Sequence, residues 1–139
     1  ITENLKCQNN SRNKVKIDVE MDENHPLVSD KNRLNIILNN LISNAITYQD
    51  PLKNDPLVSI KVDTSDTETN IIVKDNGIGI SKELQEKIFD MFFRGSENSD
   101  GSGLGLYIVK ESVEKLNGTI NVNSVPGKGS EFRILIPNN

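Results

Sequence analysis

The sequence predicts an α+β protein: a two-layer α/β sandwich in which a mixed sheet carries its helices on one face. Three observations predict it. The elements read in the order β, α, β, β, α, loop, α, β, β. Two pairs of strand-like runs are joined by connections short enough for hairpins. Two long runs have helical periodicity and an apolar side that must be covered. The βαβ alternation of a doubly wound parallel sheet is missing.

Each element has its own justification. KVKIDVEM (14–21) alternates Val15, Ile17, Val19 and Met21 with polar residues, the pattern of a half-buried strand, and NHP (24–26) breaks it. Asp30 is a suitable N-cap for the strongest helical signal, 31–48, where Leu34, Ile37, Leu38, Leu41, Ile42 and Ala45 form one stripe. Asp50-Pro51 ends that helix. LVSIKVD (57–63) and NIIVKD (70–75) form a hairpin around TSDTET, and NGIGI follows as an irregular turn. Ser81 caps a short helix over 82–89. Residues 90–102 lack periodicity and read as a mobile loop. A second long helix over 103–117 is stopped by Asn117-Gly118, and TINVNSV and SEFRILIP close the chain as a hairpin around PGKG.

The 139 residues, 35% of them hydrophobic, suit one domain with one core. Residues 1–13 read as the end of an upstream helix or linker and 14–139 as the domain. With Ile1 in place of an initial methionine, the chain is expected to be a fragment of something longer. The net charge of −4 gives no basic surface for nucleic acid or an anionic membrane, and no run is long enough to span a bilayer. A single cysteine, Cys7, excludes an internal disulfide and suits the cytoplasm. The one histidine, His25, precedes a proline in a loop, where solvation is the ordinary state. No Ser/His/Asp or Cys/His set and no His/Cys metal cluster can be assembled.

Four stretches carry possible chemistry. The first is the helix at 31–48, with asparagine at 35, 39, 40 and 44. Asparagine is a mediocre helix former, so the cluster needs a reason. Asn40, Asn44 and Thr47 fall beside the apolar stripe. They are either a solvated polar ridge or, through the amide oxygens, ligands for a hard cation such as Mg²⁺. The second is DNGIG (75–79), a turn whose Asp75 ends an apolar strand. A carboxylate there can read an amino group on a base edge, and Gly77 and Gly79 let a flat ring approach the backbone. The third, IFDMFFRGS (88–96), gathers three of the four phenylalanines and ends near Arg94, a possible phosphate partner. The fourth, GSGLGLYIVK (101–110), is neither a Rossmann fingerprint, because Gly105 comes one position early, nor a linker, because it runs into a helix. It reads as an anion site at a helix N-terminus.

In order, these pieces resemble the ATP-binding catalytic domain of bacterial sensor histidine kinases, within the gyrase, heat-shock-90, histidine-kinase and mismatch-repair ATPase superfamily. NNLISNAITY is similar to the asparagine box, DNGIG to the first glycine box and IFDMFFR to the phenylalanine box. GSGLGLYIVK is similar to the second glycine box and GKGSEF to the final turn. The resemblance implies a Bergerat-type fold that binds ATP·Mg²⁺. It implies Mg²⁺ on Asn44, Asn40 beside the phosphates, and the adenine amino group on Asp75 in a pocket shaped by Gly77 and Gly79. Residues 90–102 would be an ATP lid with Arg94 near the phosphates. Gly103, Leu104 and Gly105 would hold the phosphate chain, with Tyr48, Ser102 and Leu106 completing the nucleotide contacts.

The implied partners are ATP, the dimerisation and phosphoacceptor domain of the same full-length homodimer, and a response regulator receiver domain. The fragment itself is expected to be monomeric and to touch no membrane. Thr47 stands where the family often has lysine, and Lys53, Arg94 and Lys110 are candidates to compensate. Asn40 stands where hydrolysing relatives carry a glutamate base for water. A degenerate, non-catalytic binding module and an ATP-hydrolysing relative are the alternatives.

Overall fold

The computed structural model describes residues 15–21, 30–90 and 104–138. Eight elements follow in chain order: β1 (Lys16–Met21), α1 (Lys31–Thr47), β2 (Leu57–Thr64), β3 (Glu68–Asp75), α2 (Lys82–Gln85), α3 (Gly105–Lys115), β4 (Thr119–Val125) and β5 (Gly129–Pro137). The strands form one sheet in the order β1-β2-β3-β5-β4. β1 runs parallel to β2, across the α1 connection, and every other pair is antiparallel. The sheet is therefore mixed, as the element order predicts.

Period-two alternation puts Val58, Ile60 and Val62 of β2, Ile71 and Val73 of β3, and Phe132, Ile134 and Ile136 of β5 on one buried face. α1 lays Leu34, Ile37, Leu38, Leu41, Ile42, Ala45 and Ile46 onto that face, and α3 adds Val109 and Val113. The opposite face carries Lys61, Asp63, Lys74, Glu131 and Arg133 and has no helix on it among the described residues. Helices on one face of a mixed sheet are the architecture the sequence predicts.

α1 begins where predicted. The Asp30 carboxylate accepts from Asn32 N–H at 3.0 Å and Arg33 N–H at 3.2 Å, satisfying two amides that the first turn leaves open. Ile37 is fully buried between the layers. Ile37→Ala is expected to lower unfolding free energy by about 3 kcal/mol, read from the urea midpoint at unchanged slope.

Several boundaries differ from expectation: β2 and β3 run to Thr64 and from Glu68, with Thr64 paired to Thr69, so the expected TSDTET loop shrinks to residues 65–67, and both later helices are shorter. α2 closes at Gln85, and the chain continues as turns through Phe89, because Ile88 and Phe89 leave the helical path to meet the core. The Phe89 ring stands edge-on to Phe132 at 6.2 Å between centroids. α3 starts at Gly105 and ends at Lys115, with Asn117 in the left-handed region at φ 61° and Gly118 N–H on the Val113 carbonyl at 2.9 Å. Cys7, His25, Arg94, Ser102 and Gly103 lie outside the described residues, as does the expected lid beyond Asp90.

Candidate functional site

Asn40, Asn44 and Tyr48 stand on successive turns of the C-terminal half of α1, all half-buried at the edge of its apolar stripe. At 1.5 Å per residue they make a ridge about 12 Å long. Each end of the ridge touches a different predicted segment. The Asn40 amide nitrogen donates to the Ile36 carbonyl at 2.7 Å, and its Oδ1 faces Gly105, where a Cβ would stand only 3.3 Å away. At the other end the Tyr48 carbonyl accepts from Ile78 N–H at 3.1 Å and abuts Gly77 so closely that a Cβ there would collide with it. Between them the Asn44 amide has no hydrogen-bond partner among the described residues.

Asp75 ends β3, paired with Val58 on one side and Ser130 on the other. Its Oδ1 accepts from Gly77 N–H at 2.8 Å, and the Ser130 N–H donates to the same carboxylate. Burial nevertheless pushes its carboxyl above the ordinary 3.8, against the pull of those two amides and of the Lys53 charge. A carboxylate kept in a half-dry place by a few backbone donors is a strong acceptor for an amino group arriving from a ligand. Gly79 follows in the left-handed region at φ 77°, packed against the Val125–Pro126 backbone.

At the far end, α3 opens with Leu104 as its N-cap and no side chain satisfies the first amides. Gly105 sits against Asn40 Oδ1, and Leu106 packs on the core. An uncapped N-terminus beside a polar ridge suits a phosphate.

The structure thus brings together Asn40, Asn44, Tyr48, Asp75, Gly77, Gly79, Leu104, Gly105 and Leu106. It separates two of the residues considered as substitutes for the lysine missing at Thr47. Lys53 lies at the Asp75 end, on the carbonyls of Asn76 and Gly77, and Lys110 is exposed on α3. The Thr47 hydroxyl turns back onto the Ser43 carbonyl at 2.9 Å.

Sequence reasoning missed the scaffold of the DNG turn. Ser124 Oγ accepts from Ile80 N–H at 2.7 Å, donates to the Gly129 carbonyl at 2.8 Å and lies 2.8 Å from Ser130 Oγ. Gln85 donates to the carbonyls of Ile80 and Ser124. Asn76, which the sequence offered only as a turn residue, accepts from Leu57 N–H and donates to the Asp55 carbonyl, both at 2.8 Å. The signal available was slight: two serines six residues apart on strands the hairpin pairs face to face.

A carboxylate at a strand end, a glycine turn in contact with a helix ridge, and a bare helix N-terminus at the ridge's other end thus lie along one helix. The histidine kinase-, DNA gyrase B- and HSP90-like ATPase model matches residues 29–139, and the chain belongs to that family. Within it, the domain is of the sensor histidine kinase kind. It is 41% identical over 127 residues, 88% of this chain, to the sensor-like histidine kinase SenX3 of Mycobacterium tuberculosis. It is 39% identical over 117 residues, 78% of this chain, to the sensor histidine kinase AtsR of Burkholderia thailandensis. The matches span only 30% and 19% of those two proteins.

Among solved structures, the catalytic domain of histidine kinase ThkA superposes with a TM-score of 0.76 at 27% identity, over 99% of this chain and 86% of that one. Full-length ShkA in complex with AMPPNP superposes with a TM-score of 0.81 at 25% identity, over 97% of this chain and 28% of that one. The mycobacterial sensor histidine kinase MprB shares the fold, with a TM-score of 0.81 at 24% identity over 99% of this chain and 91% of that one.

Proposed function

We propose that this domain binds ATP with Mg²⁺ along the α1 ridge. It presents the γ-phosphoryl to a histidine on a separate dimerisation domain of the same protein, and a receiver aspartate of a response regulator then accepts it. The observation that carries this reading is the contact chain from Gly105 through Asn40 and Tyr48 to Gly77 and Asp75. This supports a reading in which the Gly105 end of the α1 ridge would meet the phosphates and the Asp75 end the base.

In this reading Asp75 accepts from the adenine amino group, and Gly77, lacking a Cβ, lets the turn close against the Tyr48 carbonyl and shape the pocket. Leu104, Gly105 and Leu106 offer their amides to the phosphates, and Arg94, Ser102 and Gly103 belong to the same segment. Asn40 lines the phosphate end. The Asn44 amide oxygen is placed to take a divalent cation, which when bound draws off charge from the phosphate oxygens during transfer. Asn40 carries no carboxylate to activate water, which fits a domain that hands its phosphoryl to another protein group. The full-length protein would be a cytoplasmic homodimer at this domain's level.

Joining the domain to histidine-bearing helices and assaying acid-labile phosphate after ATP addition tests the transfer. Binding without transfer would instead favour a degenerate binding module, the reading that Thr47, tied to its own helix, supports. On the isolated chain, Asn44→Ala is expected to abolish the Mg²⁺ dependence of ATP affinity while leaving adenosine affinity as it was. Calorimetry with and without Mg²⁺ checks it, and a retained metal dependence rejects Asn44 as the ligand.

A further inference from the structure

The loop between α1 and β2 supplies none of the proposed nucleotide contacts, yet one of its side chains turns inward onto the DNG turn. Asp50 and Pro51 open a β-turn. Lys53 N–H donates to the Asp50 carbonyl at 3.1 Å, and the Asp50 carboxylate accepts from Leu52 N–H at 2.9 Å. Pro51, Leu52, Asn54 and Asp55 are exposed, Leu52 to 89%, whereas Lys53 is half-buried. Its ammonium donates to the Asn76 carbonyl at 2.5 Å and reaches the Gly77 carbonyl at 3.4 Å.

Those two carbonyls belong to the two peptides that build the base end of the site. In a trans peptide the C=O and N–H point in opposite directions. The peptide whose carbonyl Lys53 holds is the one whose N–H, on Gly77, donates to Asp75 Oδ1 at 2.8 Å. The next peptide has its Gly77 carbonyl near Lys53 and its Ile78 N–H on the Tyr48 carbonyl at 3.1 Å. One ammonium thus fixes and polarises both. Immobilising a lysine costs side-chain entropy, so a held lysine is informative.

We propose that Lys53 is a positioning residue for base recognition, which through the Asn76–Gly77 peptide sets the orientation and acceptor strength of Asp75 toward the amino group of adenine. This rests on the base-reading role of Asp75 given above. The charge environment agrees. Of the groups around Asp75 (Tyr48 at the end of α1, Lys53 in the loop, Val58 on β2, Ser130 on β5), Lys53 supplies the only charge acting on the carboxylate among the described residues. Lys74 and Glu131, next in sequence to Asp75 and Ser130, pair with each other and alternate to the opposite face of the sheet. Burial raises the Asp75 carboxyl, and Lys53 opposes that rise together with the Gly77 and Ser130 amides.

The test is the affinity of the chain for Mg²⁺·ATP and for adenosine, by calorimetry from about pH 3.5 to pH 8, in the parent, Lys53→Met and Lys53→Arg. The parent weakens on the acid side as Asp75 takes a proton. Lys53→Met is expected to move that acid limb to higher pH and to weaken adenosine about fivefold at neutral pH. Lys53→Arg, which keeps the charge, is expected to keep the limb in place. A Lys53→Met limb coincident with the parent's overturns the proposal. So does an equal loss in both variants with the limb unmoved, which is the mark of a packing role. Failure of the base-site reading looks different: the parent ignores adenosine, or Asp75→Asn leaves affinity intact, and the role of Lys53 falls with it.

Discussion

Asp75→Asn is expected to weaken adenine-nucleotide binding about 10- to 100-fold while leaving the fold as stable as the parent or more so. The binding loss follows from the acceptor. A hydrogen bond to a charged group is worth about 1.5–3 kcal/mol, and the amide that replaces the carboxylate offers a weaker oxygen and a competing NH₂. The stability follows from the sign of the shift. Burial raises the Asp75 carboxyl in the folded chain above its ordinary 3.8, so ionising it costs more folded than unfolded. Its contribution is nil at low pH, where both states hold the proton, and becomes unfavourable as pH rises through the folded value. An asparagine has no such pH-dependent penalty. Fluorescent-nucleotide titration reads the binding, and thermal unfolding at neutral pH reads the stability. A large loss of both together would show that Asp75 is a framework residue and not a reader of the base.

Gly129→Ala is expected to be the most damaging small substitution in the domain, costing about 3–5 kcal/mol and abolishing nucleotide binding with it. Gly129 opens β5 at φ 123°, a region that side chains rarely adopt. An added Cβ would also collide with the Asp75 carbonyl and lie 2.8 Å from Asn76 Cα. Neither neighbour is a flexible side-chain end that can move aside, because Asp75 is in the centre of the sheet and Asn76 is tied to Leu57 and Asp55. The urea midpoint measures the loss. A midpoint within 1 kcal/mol of the parent, roughly the size of an ordinary surface change, would refute the close packing of the two turns.

How legible this was in the sequence depended on the range of the interaction. The stripe of α1, its Asp30 cap and the alternation of β2 and β3 are local patterns, and they appear where the residues place them. The spacing of Asn40, Asn44 and Tyr48 is local too, so the ridge could be read before its neighbours were known. The early end of α2 could not, because Ile88 and Phe89 are drawn off the helix by Phe132, more than forty residues on. The Ser124 hub and the inward Lys53 were hidden for the same reason. Serine and lysine have many ordinary uses, and only the pairing of distant strands and turns shows which one applies. Lys53 was considered for the phosphate end on charge alone, and the backbone directs it to the other.

Asp75 is completed by Ser130, and the turn beyond it by Ser124 and Gly129, all of them on β4 and β5, which follow the other described strands in the chain. A ribosome therefore delivers the asparagine ridge, the carboxylate and the uncapped helix well before it delivers the partners that hold them in register. Until β5 threads between β3 and β4, the emerging polypeptide has every residue of the base pocket except those that give it a shape. If the proposed site is the nucleotide's, binding energy stabilises only chains in which β5 has already paired with β3 and β4.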